Sequence, residues 1–236
     1  SSPVQVGTDT NWSTTSNLHY TTNTGGGWFA IKTDGTLWVC GADYNGGSGI
    51  NVGGPAGRRS SPTQIGTEST WSTITGGNGM AAIKTDGTMW VWGGNDRGQL
   101  GLNTVGDNAA RSSPIQLGTA TTWRSVTMGH KNVWYTKTDG TLWGCGQNNW
   151  GQLGQNQPET SLYSSPVQIG TDTNWSTTHS GSYGAMALKT DGTAWVWGEN
   201  EFGLHGLNTA HDNATYSSPV QIPATGWNNA RCSKMD

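Results

Sequence analysis

Residues 80–101 read Met80-Ala-Ala-Ile-Lys84-Thr-Asp86-Gly87-Thr-Met-Trp90-Val-Trp92-Gly93-Gly-Asn95-Asp-Arg97-Gly98-Gln-Leu100-Gly101. The pentapeptide Lys-Thr-Asp-Gly-Thr inside this stretch recurs from Lys32, Lys137 and Lys189, so the four copies stand 52, 53 and 52 residues apart. A fixed period near 50 marks an array of one supersecondary unit. Apolar runs flank the pentapeptide: Met80 to Ile83 before it, Met89 to Trp92 after it, with Gly93-Gly94 as a stop. Aromatic and β-branched content makes both runs strands. The Lys-Thr-Asp-Gly between them is a hairpin turn in which glycine supplies the positive φ. The second strand is apolar on both faces, Met89/Val91 and Trp90/Trp92, so it must be covered on both sides.

A second marker keeps the same beat. Ser-Ser-Pro-x-Gln starts at Ser1, Ser60, Ser112, Ser164 and Ser217, and a tryptophan follows each: Trp12, Trp71, Trp123, Trp175 and Trp227. The segments Trp71–Ile74 and Pro62–Ile65, with their counterparts, supply two more strands per unit. Proline places the latter at a sheet edge, because it lacks a backbone donor. Four strands per repeat, with no helical periodicity, predict an all-β fold, a β-propeller of four-stranded blades. The competing β-solenoid has coils nearer about 20 residues and no such hairpin. The units fall at about 8–66, 67–118, 119–170 and 171–223, with a partial fifth at 224–236. Five Pro-x-Gln strands against four hairpins predict that residues 1–236 do not close a ring alone. The remaining blades are expected from sequence outside this stretch or from another chain, since open blade edges invite pairing.

The stretch 81–101 resembles a repeat of the regulator-of-chromosome-condensation family, and the likeness recurs four times along nearly the whole chain. The family implies a propeller of about seven blades. The wording Ser-Ser-Pro-Val-Gln-Ile and Lys-Thr-Asp-Gly-Thr-x-Trp is similar to bacterial and phage members. The Gly-Gln-Leu-Gly signature stands intact from Gly98 and Gly151 and is altered at Gly46-Gly47-Ser48-Gly49 and Gly203-Leu204-His205-Gly206.

The chain has 236 residues, with 14 Trp, 2 Phe, 37 Gly and 11% charged residues. Tryptophans at fixed spacing are a distributed core rather than the mark of a disordered polar tract. Net charge is −3 with no basic run beyond Arg58-Arg59, which argues against direct binding of nucleic acid. No apolar stretch approaches the length of a membrane span. Cys40 and Cys145 stand where other repeats have Trp92 and Trp197, two blades apart and out of disulfide reach, and Cys232 lies in the tail. The sequons at Asn11 and Asn174 fall on recurrent repeat positions.

Catalytic chemistry finds no home here. Asp34, Asp86, Asp139 and Asp191 recur once per repeat, as turn residues do. The histidines His19, His130, His179, His205 and His211 show no metal-ligand spacing, although His130 and His179 fall near one loop of adjacent blades. No cofactor, metal or enzymatic activity is expected. What varies between repeats is the loop after the tryptophan strand: Tyr44 and Asn45, Asp96 and Arg97, Asn149 and Trp150, Glu201 and Phe202. Exposed aromatics and arginine are the usual anchors of binding surfaces. The first repeat also carries extra residues between its first two strands, around His19 and Tyr20, read as a loop insertion.

These features point to a non-catalytic interaction or structural module. The favoured setting is an outer surface, either a phage virion (tail, fibre or capsid-associated) or a bacterial cell, with protein partners there. One alternative is a carbohydrate-binding propeller that stacks glycans on Trp150 and Phe202. Another, implied by the family resemblance, is a guanine-nucleotide exchange factor.

Overall fold

A computed structural model describes residues 2, 5, 7–13, 19–21, 26–156, 162–181, 183–200, 203, 205–207 and 215–227. Within them the strands form four antiparallel four-stranded sheets in chain order, the blades of a partial propeller. The first holds β1 (His19–Thr21), β2 (Gly27–Ile31), β3 (Leu37–Gly41) and β4 (Arg59–Gln64). The second holds β5 (Trp71–Gly76), β6 (Gly79–Lys84), β7 (Met89–Gly93) and β8 (Arg111–Gln116). The third holds β9 (Trp123–Met128), β10 (Asn132–Lys137), β11 (Leu142–Gln147) and β12 (Leu162–Gln168). The fourth holds β13 (Trp175–Ser180), β14 (Gly184–Lys189), β15 (Ala194–Glu199) and β16 (Thr215–Gln221). The Pro-x-Gln strands β4, β8, β12 and β16 are the outer edges, where proline is tolerated. The first strands of successive blades pack together, β1 on β5, β5 on β9 and β9 on β13.

The core lies between blades. One face of each blade meets the opposite face of the next: Phe29, Ile31, Leu37 and Val39 pack on Trp71, Ile74, Met80 and Trp92. Ile83, Met89 and Val91 likewise pack on Trp123, Val126 and Tyr135. This is why β7 is apolar on both faces. Trp92 and Trp197 are fully buried, and each indole N–H donates to a backbone carbonyl of the preceding blade, Gly47 and Gln152, at 2.9 and 2.8 Å. Cys145 replaces such a tryptophan. Its Sγ lies 3.0 Å from the hydroxyl of Tyr135, and burial pushes the thiol up to about 12. Cys40 is a free, half-buried thiol.

The recurrent heptad Lys-Thr-Asp-Gly-Thr-x-Trp is one device. In the second blade Asp86 Oδ1 accepts the N–H and hydroxyl of Thr88 at 2.9 and 2.7 Å, and Thr88 Oγ1 accepts the indole N–H of Trp90 at 3.0 Å. Those bonds from Thr88 hold the Asp86 carboxyl below the usual range. The same chain of bonds runs through Asp34, Asp139 and Asp191. A β-bulge one residue after each first-strand tryptophan sets Trp71 opposite Lys84 and Trp175 opposite Lys189. Each lysine ammonium then lies over two indoles, as Lys189 does over Trp195 at 4.0 Å and Trp175 at 4.6 Å.

His19 and Tyr20 do not lie in a loop. They form β1, paired with Phe29 and Trp28. Trp12 still pairs with Lys32 as Trp71 does with Lys84. The residues between Ser13 and His19 and between Thr21 and Gly26 lie outside the described residues.

Candidate interaction surface

The turns and loops divide between two ends of the array. One end carries the Lys-Thr-Asp-Gly hairpins, which are alike in every blade. There Gly87 has φ +78°, and a Cβ on it would lie 2.1 Å from the Thr121 carbonyl of the next blade, so this end is fixed by packing. The other end carries the loops after β3, β7, β11 and β15 and the turns between the first two strands. Its residues differ from blade to blade.

Each variable loop is built on a buried anchor. Asp43, Asn95, Asn148 and Asn200 follow the third strand and are almost wholly buried. Their Oδ1 atoms accept the backbone N–H five residues on, from Ser48, Leu100, Leu153 and His205, at 2.8–3.0 Å. Buried Gln99 and Gln152 then accept the N–H of Arg97 and Trp150 at 2.9 and 2.7 Å, which pins the backbone of the loop tip. The tip side chains are thereby turned outward. Tyr44 is 51% exposed, Trp150 37%, and the Arg97 side chain 49%. Asn45, with φ +53°, and Asn149 are exposed beside them. A large exposed side chain on a backbone already held in place loses little freedom on binding.

Asp96 departs from this pattern. Its carboxylate accepts hydrogen bonds from Asn78 at 2.8 Å, Gln99 at 3.0 Å and, on the third blade, Lys131 at 2.7 Å. Burial raises the Asp96 carboxyl, but the bonds from Lys131 and Gln99 and the charges of Lys131 and Arg97 outweigh it and hold the group below its usual range. Asp96 therefore clamps two blades. Glu201 and Phe202 lie outside the described residues.

Tyr183, 38% exposed in the turn before β14, belongs to the same end and was not singled out from sequence. Its carbonyl accepts the N–H of Glu199 at 3.0 Å, as that of Asn78 accepts Gly94 and that of Lys131 accepts Gln147. The differing residues at these matched turns were the available signal. His130 lies in the turn after β9, and His179 is the penultimate residue of β13, beside the matching turn of the next blade. Among the described residues no group of three or more His, Cys, Asp or Glu could hold a metal ion. His205 stands where other blades have Leu100 and Leu153. Burial pushes its imidazole down to about 4, with a lesser opposing effect from the Trp197 carbonyl.

Comparison with known proteins places this geometry. The regulator of chromosome condensation (RCC1) repeat matches residues 86–133 and 139–188. The ultraviolet-B receptor UVR8 of Arabidopsis thaliana is 31% identical over 150 residues, 62% of this chain and 32% of its own length. The human E3 ubiquitin-protein ligase HERC2 is 26% identical over 75% of this chain and 4% of its own length. Among solved structures, Prp20p of Saccharomyces cerevisiae, described with its binding properties to Gsp1p and histones, superposes with a TM-score of 0.73 at 23% identity. The match covers 84% of this chain and 49% of that one. Human WBSCR16 gives a TM-score of 0.70 at 21% identity, covering 84% and 51%. The chain thus spans about half of these solved propellers and a third or less of the curated relatives.

Proposed function

We propose that this chain of RCC1 repeats is a non-catalytic interaction module that works through its variable-loop end, on the outer surface of a phage virion or a bacterial cell. The repeats and the partial propeller they build are those of a protein-interaction fold. The observation that carries the reading is the contrast between the two ends. The hairpin end repeats one hydrogen-bonded device four times, whereas the matched tips Asn45, Arg97 and Trp150 differ and face solvent. Recognition is built where copies of a scaffold diverge over a common frame. The outer-surface setting is supported by the weakly charged, Gly-, Ser-, Thr- and Asn-rich composition and by the wording of the repeats.

A photo-crosslinking amino acid placed at 44, 97 or 150 should yield adducts with a partner in the intact particle or cell, and one placed at 34 or 86 should not. Adducts confined to the hairpin end would reverse the assignment. Recovery of the protein solely from the cytoplasmic fraction would remove the surface role while leaving the interaction face standing.

A further inference from the structure

Three of the variable loops close on the same backbone bond. The N–H of Gly98, Gly151 and Gly203 donates to the carbonyl of the buried anchor three residues earlier, Asn95, Asn148 and Asn200, at 3.3, 3.2 and 3.1 Å. In the first blade the matched glycine, Gly46, makes no such bond. The turn there closes one residue later, from the Gly47 N–H to the Tyr44 carbonyl at 3.0 Å. Gly47 also stands where the second and third blades have Gln99 and Gln152, whose side chains accept the N–H of the loop tip. The tip of the first blade, Asn45, is left without that acceptor, because glycine has no side chain.

Asn45 is exposed, with φ +53°. Neither its side-chain amide nor the Gly46 N–H has a hydrogen-bond partner among the described residues. Both residues line an open groove of about 480 Å³ with Tyr44, Arg58 and Asp107, so water reaches them.

An asparagine followed by glycine has an intrinsic reaction, because no Cβ on the second residue obstructs the approach of its nitrogen. The glycine nitrogen attacks the asparagine Cγ. The N–Cγ bond forms, the Cγ–Nδ2 bond breaks, and ammonia leaves with the proton of the glycine N–H. Water then opens the resulting cyclic imide. Breaking the new N–Cγ bond gives aspartate. Breaking the bond from that nitrogen to the asparagine's own backbone carbonyl carbon gives isoaspartate, whose main chain runs through Cβ. The sum is water in and ammonia out, with no oxidation or reduction.

The other places with this chemistry are closed by the fold. Asn78 precedes Gly79, but its Nδ2 donates to Asp96 at 2.8 Å, and Gly79 pairs with Gly93 in the sheet. In the four Asp-Gly turns, where aspartate could form the same imide with loss of water, the glycine N–H donates to the lysine carbonyl of the turn at 2.9–3.1 Å. Their carboxylates are held by Thr36, Thr88, Thr141 and Thr193.

We propose that Asn45–Gly46 is a site of spontaneous covalent modification, and that its conversion to aspartate and isoaspartate resets the interaction face. Either product adds one negative charge to a chain of net charge −3, in a groove already lined by Asp43 and Asp107. Isoaspartate also adds a main-chain atom between two fixed points. One is Asp43, bonded to the Ser48 N–H at 2.8 Å. The other is Gly46, where a Cβ would lie 2.6 Å from Ser112 Cα of the second blade. The tip that carries Tyr44 must buckle to fit the extra atom. The effect on recognition rests on the reading of this end as the interaction face; the modification itself does not.

The test keeps the folded whole chain in mildly alkaline buffer and samples it over weeks by peptide mapping, with isoaspartate separated from aspartate by chromatography. The Asn45 peptide should gain the mass of water less ammonia about tenfold faster than the Asn78 peptide, and in urea the two should convert at similar rates. Gly47→Gln returns the acceptor of the other blades without touching the reacting pair, and it should slow conversion at Asn45 several-fold. Equal rates at Asn45 and Asn78 in the folded chain, or an unchanged rate in Gly47→Gln, would overturn the site. A photo-crosslinking amino acid at 150 then reads the consequence. Its yield of partner adducts should fall several-fold in the aged wild type and hold in aged Asn45→Ser. Equal yields would remove the effect on recognition. Fresh protein that gives no adducts would count against the interaction face, while the mass result stands by itself.

Discussion

The ammonium of Lys84 lies 3.7 Å above the centre of the Trp90 ring and 4.8 Å from that of Trp71. Lys84 is buried and also pairs with the carboxylate of Glu68, which is half exposed. An exposed carboxylate adds little, whereas a desolvated cation on two indoles is worth about 1–2 kcal/mol or more. Lys84→Met, which retains the apolar stem, should therefore lower the free energy of unfolding by about 2 kcal/mol, and Glu68→Gln by about 0.5 kcal/mol. Urea denaturation of both variants checks the order. Equal losses would assign the stabilisation to the ion pair.

Gly87→Ala should be among the most damaging single-methyl changes in the chain. It strains a residue at φ +78° and drives a Cβ to 2.1 Å from the Thr121 carbonyl of the next blade. Gly118→Ala has a similar φ, +62°, but meets nothing within 4 Å. The second should cost about 1 kcal/mol and the first about 3 kcal/mol or more, measured as shifts in denaturant midpoint.

Trp150→Ala and Arg97→Ala should abolish crosslinking at the loop end while moving Tm by less than about 2 °C, since both side chains are exposed and the one side-chain ion pair, from Arg97 to Asp96 at 4.0 Å, lies at the surface. Asp96→Asn should do the reverse and lower Tm by several degrees, because it loses the charge that draws Lys131 across the blade boundary. A sharp loss of stability in Trp150→Ala would show that ring to be core.

His205 sets an acid limit. Its folded pKa is pushed down to about 4 from an ordinary 6.5, so the unfolded chain takes up the proton first as pH falls. Stability is fully present above about 6.5 and declines toward pH 4, by at most about 3 kcal/mol. His205→Leu, matching Leu100 and Leu153, should flatten the stability curve between pH 6.5 and 4. The turn aspartates Asp34, Asp86, Asp139 and Asp191 are held below 3.8, so their contribution is present above that value and is lost at lower pH in both proteins. An unchanged slope in His205→Leu would place the acid sensitivity elsewhere.

The spacing of Lys32, Lys84, Lys137 and Lys189 made the blade, its hairpin and its outer proline strand legible, because repetition averages out local ambiguity. The strand at His19–Thr21 was not legible. The tryptophan of that repeat keeps its ordinary partner, Lys32, and only pairing with Phe29 and Trp28 shows His19 and Tyr20 to be strand. For the surface, a difference between repeats identified Arg97 and Trp150 correctly as exposed but did not separate Asp96 from them. Exposure depends on Lys131 and Asn78, neighbours brought up by the fold rather than by sequence distance.

The backbone bond between blades has a direction. The carbonyl of each hairpin glycine accepts the N–H of the tryptophan that opens the next blade: Gly35 from Trp71, Gly87 from Trp123, Gly140 from Trp175 and Gly192 from Trp227. Each of the four blades thus offers its acceptor toward the C-terminus, and the second, third and fourth take theirs from the blade before. On a ribosome, which delivers blades in that order, each finished unit is the template on which the next tryptophan docks, and the array consolidates as it is made.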